Sequence, residues 1–573
     1  MKDRTNRRLN FLIFIFLILT AGIICRLFFL QIKEYEKYKK LADTQHLKEM
    51  EIPAKRGRVF LSDGTTLIAE NKGLVNVAVS PREVKNPQEL ARKLSLALGV
   101  SESEILEKIK DKNKVWVVIK NNVVLEKTQN IEGLAGVYLE SHLDRFYPLG
   151  RMVSHVIGFY GFDSSGKKKV GQYGIEGFYQ NELAGKNGFM KGVVDANQNL
   201  IFSLKNEVQE PVNGVDLVLT INPDIQTFIE AKLKETFEKY QPRNATFIVF
   251  SPKTGEILAM ASLPNFDPNE YYKEKDPKVF QNPALLSFEP GSIFKPITAA
   301  AGIEEGVITP QTTYYDSGAV KIDNFEIKNS DLKAHGNQTM TNVIEISLNT
   351  GAVFIQQKLG REKFVEYVKK FGFGKKTGID LFGEESGDIE NIVHPRSNAK
   401  LIEAANASFG QGISVTPIQI LMAFSAIANQ GKMVKPHIVK AIIYPDGKKK
   451  IIEPQIVGEP ISPETASRVT AMMVSATKNG YSKKAGVDGY LIAGKTGTAE
   501  ASWVYFGEQK PGYSGMNVQS FINFAPAFNP EYILLLKMDA PKRGPRFSAD
   551  SLAPVAREIN LFLLNYFGIP PSK

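Results

Sequence analysis

Residues 289–295 read Glu289-Pro290-Gly291-Ser292-Ile293-Phe294-Lys295, with Pro296 next. Ser292 and Lys295 are three residues apart, so on a helix they share a face and can touch. Pro290-Gly291 is a turn signal, and Pro296 lacks an N–H and is tolerated only in a first turn. A helix is therefore expected to start near Ser292, where its unsatisfied N–H groups favour developing negative charge. A serine hydroxyl is a poor nucleophile until a base takes its proton, and a neutral lysine can do so. Alone, the pair would pass for part of a surface helix. Two later stretches change its weight. Ser347-Leu348-Asn349 is followed by Thr350-Gly351-Ala352, and Lys495-Thr496-Gly497-Thr498 follows the apolar run Leu491-Ile492-Ala493. Three such stretches in this order, each in a suitable local setting, form a specific pattern.

At 573 residues the chain is too long for one ordinary core, and two or more domains are expected. Apolar residues at 43% and charged residues at 23% are the proportions of a globular protein. The net charge of +10 suits an anionic surface or polymer, but no dense basic run with interleaved aromatics marks a nucleic-acid site. The single cysteine, Cys25, excludes an intramolecular disulfide. The six histidines are scattered with no His-x-x-x-His pair, so neither a metal nor another cofactor is expected.

Phe11 to Leu30 is apolar apart from small residues and Arg26. Twenty helical residues span about 30 Å, the thickness of a hydrocarbon core, and the Arg26 stem can snorkel to the interface. No small-x-small cleavage site follows, and Ile24 before Cys25 does not suit a lipoprotein site, so an uncleaved anchor is expected. Basic residues flank both ends, so charge leaves the orientation open. Gln31 to Thr44 should continue the helix. From Pro53 to about residue 210 short strands alternate with turns; Leu74–Val79 and Lys114–Ile119 are β-rich, while Asn86–Leu98 and Ser101–Ile109 are amphipathic helices. Pro211-Val212-Asn213-Gly214 reads as a hinge, with a strand Asp216–Ile221 and a helix Pro223–Tyr240 after it. Ala245–Phe250 with Glu256–Ser262, and Ser520–Phe524 with Ile533–Met538, read as hairpins; Ala553–Phe567 reads as a terminal helix. Hairpins at both ends of one region suggest an antiparallel sheet closed by remote segments.

The ordered set Ser-x-x-Lys, Ser-x-Asn, Lys-Thr-Gly resembles the signature of penicillin-binding proteins and serine β-lactamases. The rest of the chain resembles class B penicillin-binding proteins. Arg56-Gly57-Arg58-Val59 with Asp63-Gly64, Arg145-Phe146-Tyr147-Pro148-Leu149-Gly150, and Gly171-Gln172-Tyr173-Gly174-Ile175-Glu176 are similar to that class's three N-terminal signatures. Leu61-Ser62 departs from the usual Asp-Arg, so an ion pair between N-terminal segments is expected to be missing. Thr254-Gly255-Glu256-Ile257-Leu258-Ala259-Met260 is similar to the family's entry to the catalytic domain, and Gln519-Ser520-Phe521-Ile522-Asn523-Phe524-Ala525-Pro526 resembles the division or spore-septum type.

The resemblance implies a multidomain α+β chain. Its parts would be a cytoplasmic tail (1–10), a transmembrane signal-anchor helix (11–30), a β-rich non-catalytic pedestal (31–222), a transpeptidase domain (223–567) with a five-stranded antiparallel sheet between helical layers, and a tail (568–573). The catalytic domain would lie outside the cytoplasmic membrane. The reaction would be cross-linking of peptidoglycan stem peptides ending in D-alanyl-D-alanine, with inhibition by β-lactams. Ser292 would attack the penultimate carbonyl and Lys295 would be the base, its pKa depressed by the Lys495 charge and by burial. Ser347 would relay a proton to the leaving amine, and Asn349 would orient Lys295 and the substrate amide. Lys495, Thr496 and Thr498 would bind the terminal carboxylate, and Gly497 would let the substrate backbone lie on the strand edge. The Ser292 and Thr498 N–H groups would form the oxyanion hole. Implied partners are a SEDS-family glycan polymerase and other division proteins. A D,D-carboxypeptidase, a membrane-anchored β-lactam sensor and a division scaffold with a silent site are the competing readings; no acidic cluster of a glycosyltransferase lies between Gln31 and Tyr240.

Overall fold

A computed structural model describes residues 2–193, 207–396 and 400–571. Residues 194–206 of the expected pedestal and 572–573 of the expected tail lie outside the described residues. The chain forms two compact units, residues 1–55 with 184–214, and residues 56–183 with 215–573. In the first, the helix Lys2–Phe28 runs into a π-turn, Phe29–Lys33, and a second helix, Tyr35–His46. The stretch Asp3–Lys33 is long and apolar enough to cross a membrane. Leu47–Ile52, Gly188–Val193 and Glu207–Gln209 make a three-stranded antiparallel sheet.

Two large sheets dominate the second unit, beside four two-stranded ones among the described residues. One has seven strands: Leu67–Val79 pairs with Val59–Phe60, Val117–Val124 and Val137–Phe146. Val59–Phe60 continues to Asp216–Leu219, which pairs on its far side with Val439–Ile443 and thence Lys449–Ile451. Residues on both sides of position 222 therefore share one sheet. The expected strand at Lys114 starts three residues later, at Val117, because the Lys114 N–H turns back to the Asp111 carbonyl. Arg56, Arg145 and Glu176, one from each N-terminal signature, converge on one buried cluster in which both guanidinium groups grip the Glu176 carboxylate. Arg58 also pairs with Asp216 at 2.7 Å. Ion pairs thus tie these segments together, while Leu61 packs in the core.

The other sheet carries the Lys-Thr-Gly motif on an edge strand, and the turns and helices of its region carry the other two. In chain order its region contains α1 (Pro223–Tyr240), β1 (Asn244–Phe250), β2 (Ile257–Leu263), α2 (Lys295–Glu304), α3 (Asn349–Leu359), α4 (Pro417–Ala428), α5 (Pro463–Lys478), β3 (Ala493–Ser502), β4 (Tyr513–Ala525), β5 (Tyr532–Asp539) and α6 (Ser548–Tyr566). The strand order is β2-β1-β5-β4-β3, all antiparallel. Successive side chains of a strand face opposite ways, and the sequence uses both faces. Phe247, Leu534 and Leu536 pack with Ile229 of α1 and Ile559 of α6. Ile248, Phe250, Ile533 and Leu535 face a second core that includes Ile297 of α2, Leu421 of α4 and Met472 of α5. The stacked pair Phe228–Phe562, 3.9 Å between ring centres, joins α1 to α6. Helical layers on both faces of a five-stranded sheet are the expected arrangement.

Candidate active site

Ser292 lies in a 3-10 turn, Gly291–Phe294, and α2 begins at Lys295. The expected helix start is thus displaced by one turn: the Lys295 N–H closes an i→i+3 bond onto the Ser292 carbonyl, and Pro296 falls in the first turn of α2. The α2 segment Lys295–Ile303 is buried. Gly302 lets α3 approach: a Cβ there would stand 2.7 Å from Ile355, so the helices carrying Lys295 and Asn349 pack closely. Ser347 sits between the helix Met340–Glu345 and α3 in a left-handed conformation, φ 60°. That conformation costs a non-glycine residue about 1–3 kcal/mol and persists only where its surroundings impose it.

Those surroundings are polar. Lys295 is 1% exposed, and its ammonium donates to the Ser347 carbonyl at 2.5 Å, to Asn349 Oδ1 at 2.8 Å and toward Ser347 Oγ at 3.2 Å. Lys495 on the edge strand β3 is equally buried and donates to Ser347 Oγ at 2.9 Å and to the Thr496 carbonyl at 3.0 Å. Ser347 is therefore the joint between the two lysines. Burial pushes both ammonium groups down, Lys495 to about 7. For Lys295 burial is the larger cause, and the Lys495 charge pushes it further, well below the ordinary lysine range.

A cavity of about 1000 Å³ opens onto this cluster. Ser292, Ser347, Asn349, Thr496 and Thr498 line it. Lys295 and Lys495 stand behind that lining. Lys495, expected at a carboxylate, has two of its three donors engaged inside, and Thr496 and Thr498 are the Lys-Thr-Gly residues that line the cavity. Gly497 faces inward: a Cβ would meet Ser520 Oγ at 2.3 Å and Ile293 at 2.8 Å. Its missing side chain is required by packing against the nucleophile's turn, in addition to any use at the strand edge. Thr498 Oγ accepts from the Ser548 N–H at the start of α6, at 3.2 Å. Among the described residues no cluster of His, Cys, Asp and Glu side chains could hold a metal ion.

The chain matches the penicillin binding protein transpeptidase domain family over residues 245–561 and the penicillin-binding protein dimerisation domain family over residues 51–219. The chain belongs to the class B penicillin-binding proteins. It is 34% identical to stage V sporulation protein D of Bacillus subtilis, over 99% of this chain and 87% of that one. It is 28% identical to the probable peptidoglycan D,D-transpeptidase PenA of Neisseria gonorrhoeae, over 99% and 94%. Penicillin-binding protein 2X from Streptococcus thermophilus shares the fold with a TM-score of 0.70 at 24% identity, covering 91% of this chain and 80% of that one. Penicillin-binding protein 3 of Mycobacterium tuberculosis, solved with ampicillin, aligns at 0.68 and 26% identity, covering 91% and 97%.

In this penicillin-binding protein five of the eight residues singled out from sequence line one cavity, and Lys295, Lys495 and Gly497 lie outside its lining. Sequence reasoning missed the groups behind them, above all Asp316 and Asn329, which hold the start of α3. No local pattern marks them: each lies in a short polar stretch with the composition of an ordinary turn.

Proposed function

We propose that this protein is a peptidoglycan D,D-transpeptidase that works through a serine acyl-enzyme at Ser292. The observation that carries the reading is the buried Lys295 amine, one helical turn from Ser292 and held by Ser347 and Asn349 beside a second buried ammonium. Burial, and after it the Lys495 charge, favour the neutral amine there, which can take the Ser292 proton as Oγ attacks the penultimate D-alanine carbonyl. The oxyanion would lie against the Ser292 and Thr498 N–H groups; one such donor is typically worth about 10²–10³ in rate. Ser347 Oγ would give its proton to the departing D-alanine nitrogen and recover one from Lys495 Nζ, its 2.9 Å neighbour. The amine of a neighbouring stem then attacks the ester and regenerates Ser292. Thr496 and Thr498 would hold the donor's carboxylate.

The division type favours septal synthesis with a SEDS-family polymerase as partner. The Asp3–Lys33 helix would anchor the chain with its N-terminus in the cytoplasm. The bounds of the two matched families support the division into pedestal and transpeptidase parts at residue 222.

The test uses detergent-solubilised full-length protein. Fluorescent penicillin should label the native chain at Ser292, located by peptide mass spectrometry, and Ser292→Ala should take no label; persistent labelling sinks the nucleophile assignment. A D-alanyl-D-alanine thioester donor with a D-amino acid acceptor should give the transfer product. Hydrolysis alone would make it a carboxypeptidase.

A further inference from the structure

The helix α3 carries Asn349 at its first position, and the residue before it, Leu348, gives no side-chain cap. The first N–H groups of a helix need acceptors. Here the acceptor comes from twenty residues earlier in the chain. Asn329 Oδ1 takes the Asn349 N–H at 3.0 Å and the Thr350 N–H at 3.3 Å. The preceding residue acts on the Asn349 side chain: its Nδ2 donates to the Lys328 carbonyl at 2.8 Å. With its Nδ2 directed there, the amide presents Oδ1 to the Lys295 ammonium. Lys328 and Asn329 therefore fix both the backbone and the amide orientation of Asn349.

Asn329 is itself held. It is 2% exposed, and its Nδ2 donates to both oxygens of Asp316, at 3.0 and 2.9 Å, and to the Lys333 carbonyl at 3.2 Å. Asp316 is fully buried at the end of the strand Thr313–Asp316. It also accepts from the Gly318 N–H at 3.0 Å, the His335 N–H at 3.1 Å and the Thr350 hydroxyl at 2.8 Å. The Thr350 hydroxyl lies 3.0 Å from the Tyr314 hydroxyl, which can donate to it while Thr350 donates to Asp316. A buried carboxylate surrounded by donors is an anchor that cannot shift without leaving several polar groups unpaired.

The geometry points to Asn329, anchored by Asp316, as a positioning residue for the acylation step, acting through Asn349 on Lys295. Neither side chain lines the cavity. This role rests on Lys295 being the base for Ser292. Displacing a catalytic group by about 1 Å can cost ~10²-fold in rate.

The experiment follows the time course and the end point of fluorescent-penicillin labelling on the full-length protein. Asn329→Ala should slow acylation by roughly 10–100-fold while the end point stays at one label per chain. Asn329→Asp should also slow it, because two carboxylates then face each other. A smaller end point reached at the native rate would mean that Asn329 only supports folding, and would overturn the role, as would a native rate in Asn329→Ala. Should Asn329→Ala fail to fold, Thr350→Val decides. It removes one link to Asp316, and a rate equal to that of the native protein would again overturn the role. A native protein that takes no label at Ser292 would remove the reading of the site and this role with it. Native labelling with an unaffected Asn329→Ala rate would remove this role alone.

Discussion

Replacing Lys495 by methionine keeps the length and burial of the side chain and deletes its charge. Lys295 Nζ and Lys495 Nζ both reach Ser347 Oγ, at 3.2 and 2.9 Å, so the two nitrogens are no more than about 6 Å apart. At an effective dielectric of ~20 two unit charges at that distance repel by about 3 kcal/mol, or roughly two pKa units. The repulsion opposes protonation of Lys295, so deleting it raises the Lys295 pKa. Acylation needs neutral Lys295 and falls as pH drops through that pKa. In Lys495→Met this acidic limb should move up by about one to two units, so that the rate along the limb drops and recovers as pH is raised. The assay is the second-order rate of penicillin acylation from pH 5 to pH 10, with the labelled fraction as a control for folding. A lower plateau is compatible with the reasoning, because Ser347 also loses a hydrogen bond. An acidic limb that stays in place refutes it, and would reduce Lys495 to a ligand-binding cation.

Three further outcomes concern stability. Gly497→Ala should lower the melting temperature through overpacking of about 1–3 kcal/mol, and trimming Ser520 to glycine in the same chain should recover part of it, read by thermal unfolding. Burial pushes the Glu176 carboxylate up, but the Arg145 and Arg56 charges outweigh burial and hold it below the usual range. Its contribution is present above the unfolded value and lost as pH falls through the folded one; Glu176→Gln should cost ~3–5 kcal/mol at neutral pH and flatten the acid limb of denaturant unfolding. Burial lowers His155 to about 4, with its Nε2 2.9 Å from the Val279 carbonyl. The folded state there binds fewer protons than the unfolded one, so about 3 kcal/mol of stability should be lost as pH falls from 6.5 to 4, and His155→Gln should remove that dependence.

Local chemistry made much of this molecule legible. Ile533–Met538 and Ala245–Phe250 are short, nearly continuous apolar runs, the signal of strands buried on both faces, which survives without knowledge of the partner strand, and both hairpins form. The three motifs were legible because each combines reactive types in a short span. What stayed hidden is non-local. The pairing of Asp216–Leu219 with Val439–Ile443 joins segments that no local spacing relates. Asn329 caps a helix that begins twenty residues later, and an asparagine before Ser330 looks like any turn. Gly497 was read as an opening for substrate, while the clash with Ser520 and Ile293 depends on which face of β3 meets the interior.

The shared sheet has a consequence for how the protein is made. Asp216–Leu219 bonds to Val59–Phe60 on one side, yet its other neighbour, Val439–Ile443, is synthesised roughly 220 residues later. At ~5–20 residues per second the wait is roughly 10–45 s. Throughout it the nascent sheet has an open edge beside Leu217 and Leu219, which are fully buried in the finished fold. Open apolar edges recruit other strands. The early half of the chain should therefore stay prone to aggregation until residue 443 has emerged, and a fragment cut between 219 and 439 should aggregate even though it contains every residue of the three N-terminal signatures.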